Sequence, residues 1–183
     1  MLALAYAARH PGAAGSLILV GCGTFDLAAR NELQRAIAER MTGYIRARLK
    51  SAEQLDHDER LRASVEAMMP IYSCDLVASP HEQDKIDARA HHETWDDMLR
   101  LQAEGVYPAA FRAIKAPILM VHGIFDPLPG RLISEGLRRY LPQLEYHELD
   151  RCGHYPWLER AASETFFSLV RNWLVSHTNT PGT

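Results

Sequence analysis

Residues 116–130 read APILMVHGIFDPLPG, and how this stretch folds decides how the rest of the chain is arranged. Ile118 to Val121 form an unbroken apolar run that ends near Gly123, the pattern of a short strand covered on both faces. Pro127 and Pro129 then stiffen a loop that cannot continue the strand, and Asp126 sits in that loop. A similar run, SLILVGCG at 16–23, and the segment LEYHEL at 144–149 read as two further strands. A helix-like stretch from Arg131 to Tyr140 lies between the last two, and strands alternating with helices through short loops predict parallel neighbours.

The flanks extend this pattern. MLALAYAARHPG opens the chain as an almost wholly apolar helix that has no capping residue and stops at His10-Pro11-Gly12. Such a helix suits enclosure on most sides, and its uncapped start predicts that something precedes it. From Phe25 to Ala113 the texture is charged and helical. Leu33, Ile37, Met41, Ile45 and Leu49 fall four apart behind Asp26, a candidate N-cap, although Gly43 weakens that helix. Further helices are expected from Asp58 to Met69, ending at Pro70, and from Thr94 to Ala103. After the loop DRCGHYPW, an amphipathic helix runs from about Glu159 to Ser176. The resulting units are 1–24 and 114–177 as two parts of one α/β core, 25–113 as an inserted helical cap, and 178–183 as a disordered tail.

Composition narrows the function. The 183 residues, 47% of them hydrophobic, suffice for one sizeable core. A formal charge of -3 from 20 basic and 23 acidic residues, without long runs of either sign, speaks against nucleic-acid or anionic-membrane partners. No segment approaches the roughly 20 apolar residues of a membrane span. Cys22, Cys74 and Cys152 have no metal-ligand spacing and cannot all pair with one another, which fits a reducing, cytoplasmic setting. His91-His92-Glu93 lacks a third ligand at useful spacing and reads as a solvated face, so no metal or cofactor is expected.

Chemistry concentrates where parallel strands end, because loops leaving the carboxyl edge converge there. One such loop carries Asp126 and another, RCGHYPWLE, carries His154. Taken singly, Asp126 reads as a helix cap and His154 as a turn residue. Taken together, they form a carboxylate and an imidazole able to meet: Asp fixes the tautomer and stabilises the imidazolium while the other ring nitrogen serves as general base. His122, just before Gly123, reads as support for the acid loop. Trp95, Tyr72 and Met68, with Phe125 and Tyr155 from the two loops, are candidate substrate contacts. At helical spacing Trp95, Tyr72, Met68 and Met69 equally suit the cap's own core.

APILMVHGIFDPLPG followed by LDRCGHYPWLE resembles the acid and histidine loops of the α/β-hydrolase family, and MLALAYAARHPGAAGSLILVGC is similar to that family's segment just after the nucleophile elbow. The nearest texture is that of proline iminopeptidase-like and esterase-like bacterial hydrolases. The resemblance implies a partial α/β-hydrolase fold: a short parallel sheet of about three strands, flanked by helices, with the middle section as its cap. It also implies Asp126 and His154 as acid and base of a Ser, acid, His triad. The G-x-S-x-G turn that presents the serine is not in the sequence; aligned on the first helix, that serine falls about four residues before Met1. Cys22 is no substitute, because Val20 and Thr24 stand where an elbow needs small residues, and it reads as a small core residue.

Two functions follow. One is the C-terminal part of a serine hydrolase acting on a small-molecule ester, amide or peptide substrate, inactive alone because the nucleophile and oxyanion hole lie elsewhere. The other is a non-catalytic remnant serving as a binding or oligomerisation module. Either leaves the SLILVG strand with an open apolar edge, so self-association or pairing with an N-terminal complementary fragment is expected.

Overall fold

A computed structural model describes residues 2–79 and 85–178; the expected disordered tail at 178–183 lies outside them except for Thr178. Three parallel strands, β1 (Leu17–Val20), β2 (Ile118–Gly123) and β3 (Leu144–Leu149), form a sheet in the order β1-β2-β3. Leu17 pairs with Ile118, and Ile118 in turn with Leu144. Every residue of β2 is buried, as its unbroken apolar run requires of the central strand. In β1 only Leu19 is fully buried, because among the described residues this strand is paired on one side alone.

Alternation along β2 divides the interior into two layers. Ile118 and Met120 join Leu4, Leu19, Phe25, Phe111, Ile133 and Leu137 on one face, beneath α1 (Leu2–Arg9) and α6 (Gly130–Arg138). Leu119 and Val121 meet Leu149, Phe166 and Trp173 on the other, beneath α7 (Ser163–Thr178). The first helix is less enclosed than its composition predicts. Leu4 and Ala7 are buried, whereas Leu2 and Tyr6 are 69% and 59% exposed.

The helices between β1 and β2 depart from the sequence reading in ways with local causes. Asp26 caps α2 (Leu27–Arg40) by accepting from the Ala29 N–H at 2.8 Å. The apolar four-residue repeat does not make one long helix. Thr42 accepts from the Ile45 N–H and starts a separate α3 (Gly43–Ala52), with Gly43 in its first turn. α4 (His57–Tyr72) begins at the Asp56 cap and runs two residues past Pro70. α5 (Ala88–Ala103) starts six residues earlier than expected, behind the Asp87 cap. A short 3-10 helix, Ala109–Ala113, leads into β2 and packs against α1. Instead of opening α7, Glu159 is wholly buried in the turn before it.

Candidate active site

Two loops leave the carboxyl ends of β2 and β3 and bind each other through the backbone. The Phe125 N–H donates to the Cys152 carbonyl at 2.8 Å, and the Ile124 N–H donates to that of Leu149 at 3.0 Å. Asp126 is thereby held under the His154 ring, its side chain fully buried. Asp126 Oδ1 accepts from the Leu128 N–H at 3.0 Å, and Oδ2 accepts from His154 Nδ1 at 2.8 Å. With the proton on Nδ1, Nε2 carries a lone pair, and the imidazole is 24% exposed. The pair is a buried carboxylate bonded to a partly open imidazole.

The ring is fixed from several sides. Tyr72 and Tyr155 meet it edge-on, with centroids 5.8 and 5.0 Å away. Gly21 lies directly against it: a Cβ at this position would stand 2.5 Å from His154 Cε1, and the backbone there has φ +56°. Only glycine satisfies both demands without strain. The turn after β1 thus supplies a floor for the imidazole, a role that sequence reading gave only to a strand boundary.

Behind the carboxylate lies a second histidine. His122 Nε2 accepts from the Cys22 N–H at 2.7 Å, which leaves the proton on Nδ1, 3.8 Å from Asp126 Oδ2 and without a hydrogen-bond partner. Burial lowers its pKa to about 4, with the Asp126 charge opposing the shift. The Cys22 thiol is pushed up to about 11 by burial, and that of Cys152 to about 12, so neither is a thiolate at neutral pH. Among the described residues no group of His, Cys, Asp or Glu side chains is arranged to hold a metal ion.

Of the candidate substrate contacts, the structure brings Met68, Tyr72 and Tyr155 to a cavity of about 270 Å³ that also contains His154, Val65 and Met69. Burial and the Asp126 charge raise the Tyr72 phenol, and Tyr155 is pushed up to about 12, so both walls stay neutral. Trp95 and Phe125 do not line this cavity. Trp95 is 51% exposed on α5 and stacks on His91, which also excludes it from the core of the helical segment. Phe125 is half-buried in the acid loop, with the Arg40 guanidinium 4.1 Å above its ring. A larger cleft of about 500 Å³ beside Asp126 is lined by Glu32, Glu135, Glu148 and Arg131 and does not include His154.

Arg40, at the end of α2, has a part that sequence reading missed. Its Nη1 donates to the carbonyls of Ile71 at 2.8 Å and Phe125 at 2.5 Å, joining the end of α4 to the acid loop. Arg40→Ala is expected to cost about 1–2 kcal/mol, since two charge-assisted bonds and the contact with Phe125 are lost together. Denaturant unfolding reads this directly; a loss below about 0.5 kcal/mol, the range of an ordinary surface change, would contradict it.

Solved structures share this architecture. The crystal structure of proline iminopeptidase from Mycobacterium smegmatis superposes with a TM-score of 0.57 at 20% identity, covering 97% of this chain and 62% of that one. VinJ gives 0.60 at 19% identity over 96% and 62%. The 2-hydroxy-6-oxo-6-phenylhexa-2,4-dienoate hydrolase BphD of Rhodococcus sp. strain RHA1 gives 0.51 at 19% identity over 98% and 60%. The chain therefore spans about three fifths of the length of these structures and has a partial α/β-hydrolase fold. No protein-family model matches the chain, and no curated protein matches it.

Proposed function

We propose that this chain is the acid-and-base portion of a serine hydrolase, cleaving an ester, amide or peptide bond of a small substrate through an acyl-enzyme. The hydrogen bond from His154 Nδ1 to the buried Asp126 carboxylate carries this reading. In the mechanism, Nε2 of His154 takes the proton of a serine hydroxyl as that oxygen attacks the carbonyl carbon. Asp126 stabilises the imidazolium, and Nε2–H then protonates the leaving alkoxide or amine as the acyl-enzyme forms. Water repeats the sequence from the other side: His154 removes its proton, and the serine leaves with that proton restored.

The serine comes from outside these 183 residues, on a segment bearing a G-x-S-x-G turn. Two observations support this: the sequence lacks that motif, and the chain spans only part of its structural neighbours. Among the described residues one edge of β1 is unpaired, and it is the surface on which such a segment, or a second copy of the chain, would add a strand. Among the described residues no helix is long and apolar enough to cross a membrane.

Hydrolysis of a p-nitrophenyl acyl ester tests the reading. The 183-residue chain alone is expected to show no turnover above an equal amount of His154→Ala protein. The chain joined to, or mixed with, a G-x-S-x-G segment is expected to turn over, and to lose that activity with His154→Ala. Turnover by the chain alone that survives His154→Ala would refute the assignment.

A further inference from the structure

Glu159 is a carboxylate with no exposure to solvent; among the described residues its side chain has no cationic partner and accepts from three backbone N–H groups. Oε1 accepts from Cys74 at 2.8 Å and from Gly153 at 2.9 Å, and Oε2 accepts from Asp75 at 2.6 Å. Cys74 and Asp75 belong to the segment leaving α4, the helix whose Met68, Met69 and Tyr72 wall the cavity. Gly153 immediately precedes His154. One side chain therefore holds the exit of the pocket helix and the histidine loop at the same point.

The backbone repeats the connection on either side. The His154 N–H donates to the Tyr72 carbonyl at 2.7 Å, that of Val77 to Leu158 at 2.9 Å, and that of Arg160 to Asp75 at 2.9 Å. Leu76 and Glu159 form an antiparallel bridge. The approach is so close that a Cβ at Gly153 would stand 2.2 Å from the Tyr72 carbonyl oxygen. Arg160 adds an exposed contact to Asp75 at 3.1 Å. A buried acceptor serving three donors on two separate segments is a costly group unless all three bonds persist, so the segments open together or not at all.

We propose that Glu159 is a positioning residue, a clasp that makes the α4 pocket wall and the His154 imidazole one rigid unit, so that the cavity and the base keep a fixed relation. Glu159 touches neither substrate nor the reacting atoms; it acts through Gly153 on His154. The proposal rests on the reading of Asp126 and His154 as the acid and base, and its test separates the two.

Proton NMR of the 183-residue chain provides the readout, through the His154 Nδ1 proton held on Asp126, which is expected to resonate far downfield and exchange slowly. Asp126→Asn is expected to remove this signal. Glu159→Ala, which takes away all three acceptor contacts, is expected to remove it as well and to speed amide exchange at Cys74, Asp75 and Gly153 by about tenfold or more, the factor associated with one buried hydrogen bond. Arg160→Ala, which weakens only the exposed contact, is expected to leave the signal intact. Should Glu159→Ala fail to fold, Glu159→Gln places an amide NH2 against donor N–H groups and is expected to broaden the signal and speed at least one of the three amides. Persistence of the signal in the folded Glu159 variant, with its loss in Asp126→Asn, overturns the clasp and leaves the pair standing. Persistence in Asp126→Asn overturns the pair, and the clasp with it.

Discussion

Under the proposed function, Asp126→Asn is expected to lower kcat/KM of the chain completed by a G-x-S-x-G segment by about 10,000-fold while leaving the fold intact. The asparagine oxygen can still accept from the Leu128 N–H, the bond that Oδ1 makes in the native loop at 3.0 Å. The amide NH2 then faces His154 Nδ1, where Oδ2 accepted a proton at 2.8 Å. Two donors cannot share that line, so the imidazole moves its proton to Nε2 and loses the lone pair that would take the serine proton. Steady-state hydrolysis beside thermal unfolding separates the causes. A 10,000-fold loss with little change in Tm is the expected pairing; a loss below tenfold would show that Asp126 does not set the tautomer.

The second large effect is on stability against acid. His122 has no side-chain exposure, and burial holds its pKa at about 4 against about 6.5 in an unfolded chain. Above pH 6.5 both states are neutral at this residue, and it contributes no pH dependence. Between pH 6.5 and about 4 the unfolded chain binds a proton that the folded one does not, so stability falls as the pH falls. Below about 4 both are protonated and the loss levels off. The difference amounts to roughly 3 kcal/mol, lost across that window. Asp126 and Glu148 oppose the shift and His154 adds to it, but burial outweighs them. Urea unfolding from pH 7 to 4 checks this when compared with His122→Gln, whose oxygen can still accept from the Cys22 N–H and which does not titrate. The wild type is expected to lose roughly 3 kcal/mol more than the variant. Equal losses in the two proteins would show that His122 is not held neutral.

The strands and the two loops were legible because their signals are local. β1 and β2 lie in the apolar runs and β3 in LEYHEL, as the sequence predicts, and Asp126 and His154 meet because both follow strands that are neighbours in a parallel sheet. Element ends were less legible where a competing local rule applied. Thr42 nucleates a new helix inside an unbroken apolar repeat, and α4 continues two residues past Pro70 instead of stopping before it. Apart from His122, the supports of the site could not be read from sequence. Gly21 looks like a strand boundary until an imidazole is placed on it, and Arg40 looks like a helix-end charge until two carbonyls from distant segments converge on it. Glu159 reads as the start of an amphipathic helix and is instead a buried acceptor. In each case the determining contact spans dozens of residues, beyond any periodicity. Trp95 shows the converse: an aromatic at helical spacing, expected in a pocket or a core, is half exposed.

Mapping the adduct of a fluorophosphonate by mass spectrometry tests the central claim most directly, because the reagent reports where an activated serine resides. The account predicts no adduct on the 183-residue chain alone. In the presence of the G-x-S-x-G segment it predicts one adduct per chain, on the serine of that segment, abolished by His154→Ala. An adduct on any residue of the 183, or labelling of the added serine that persists in His154→Ala, would contradict it.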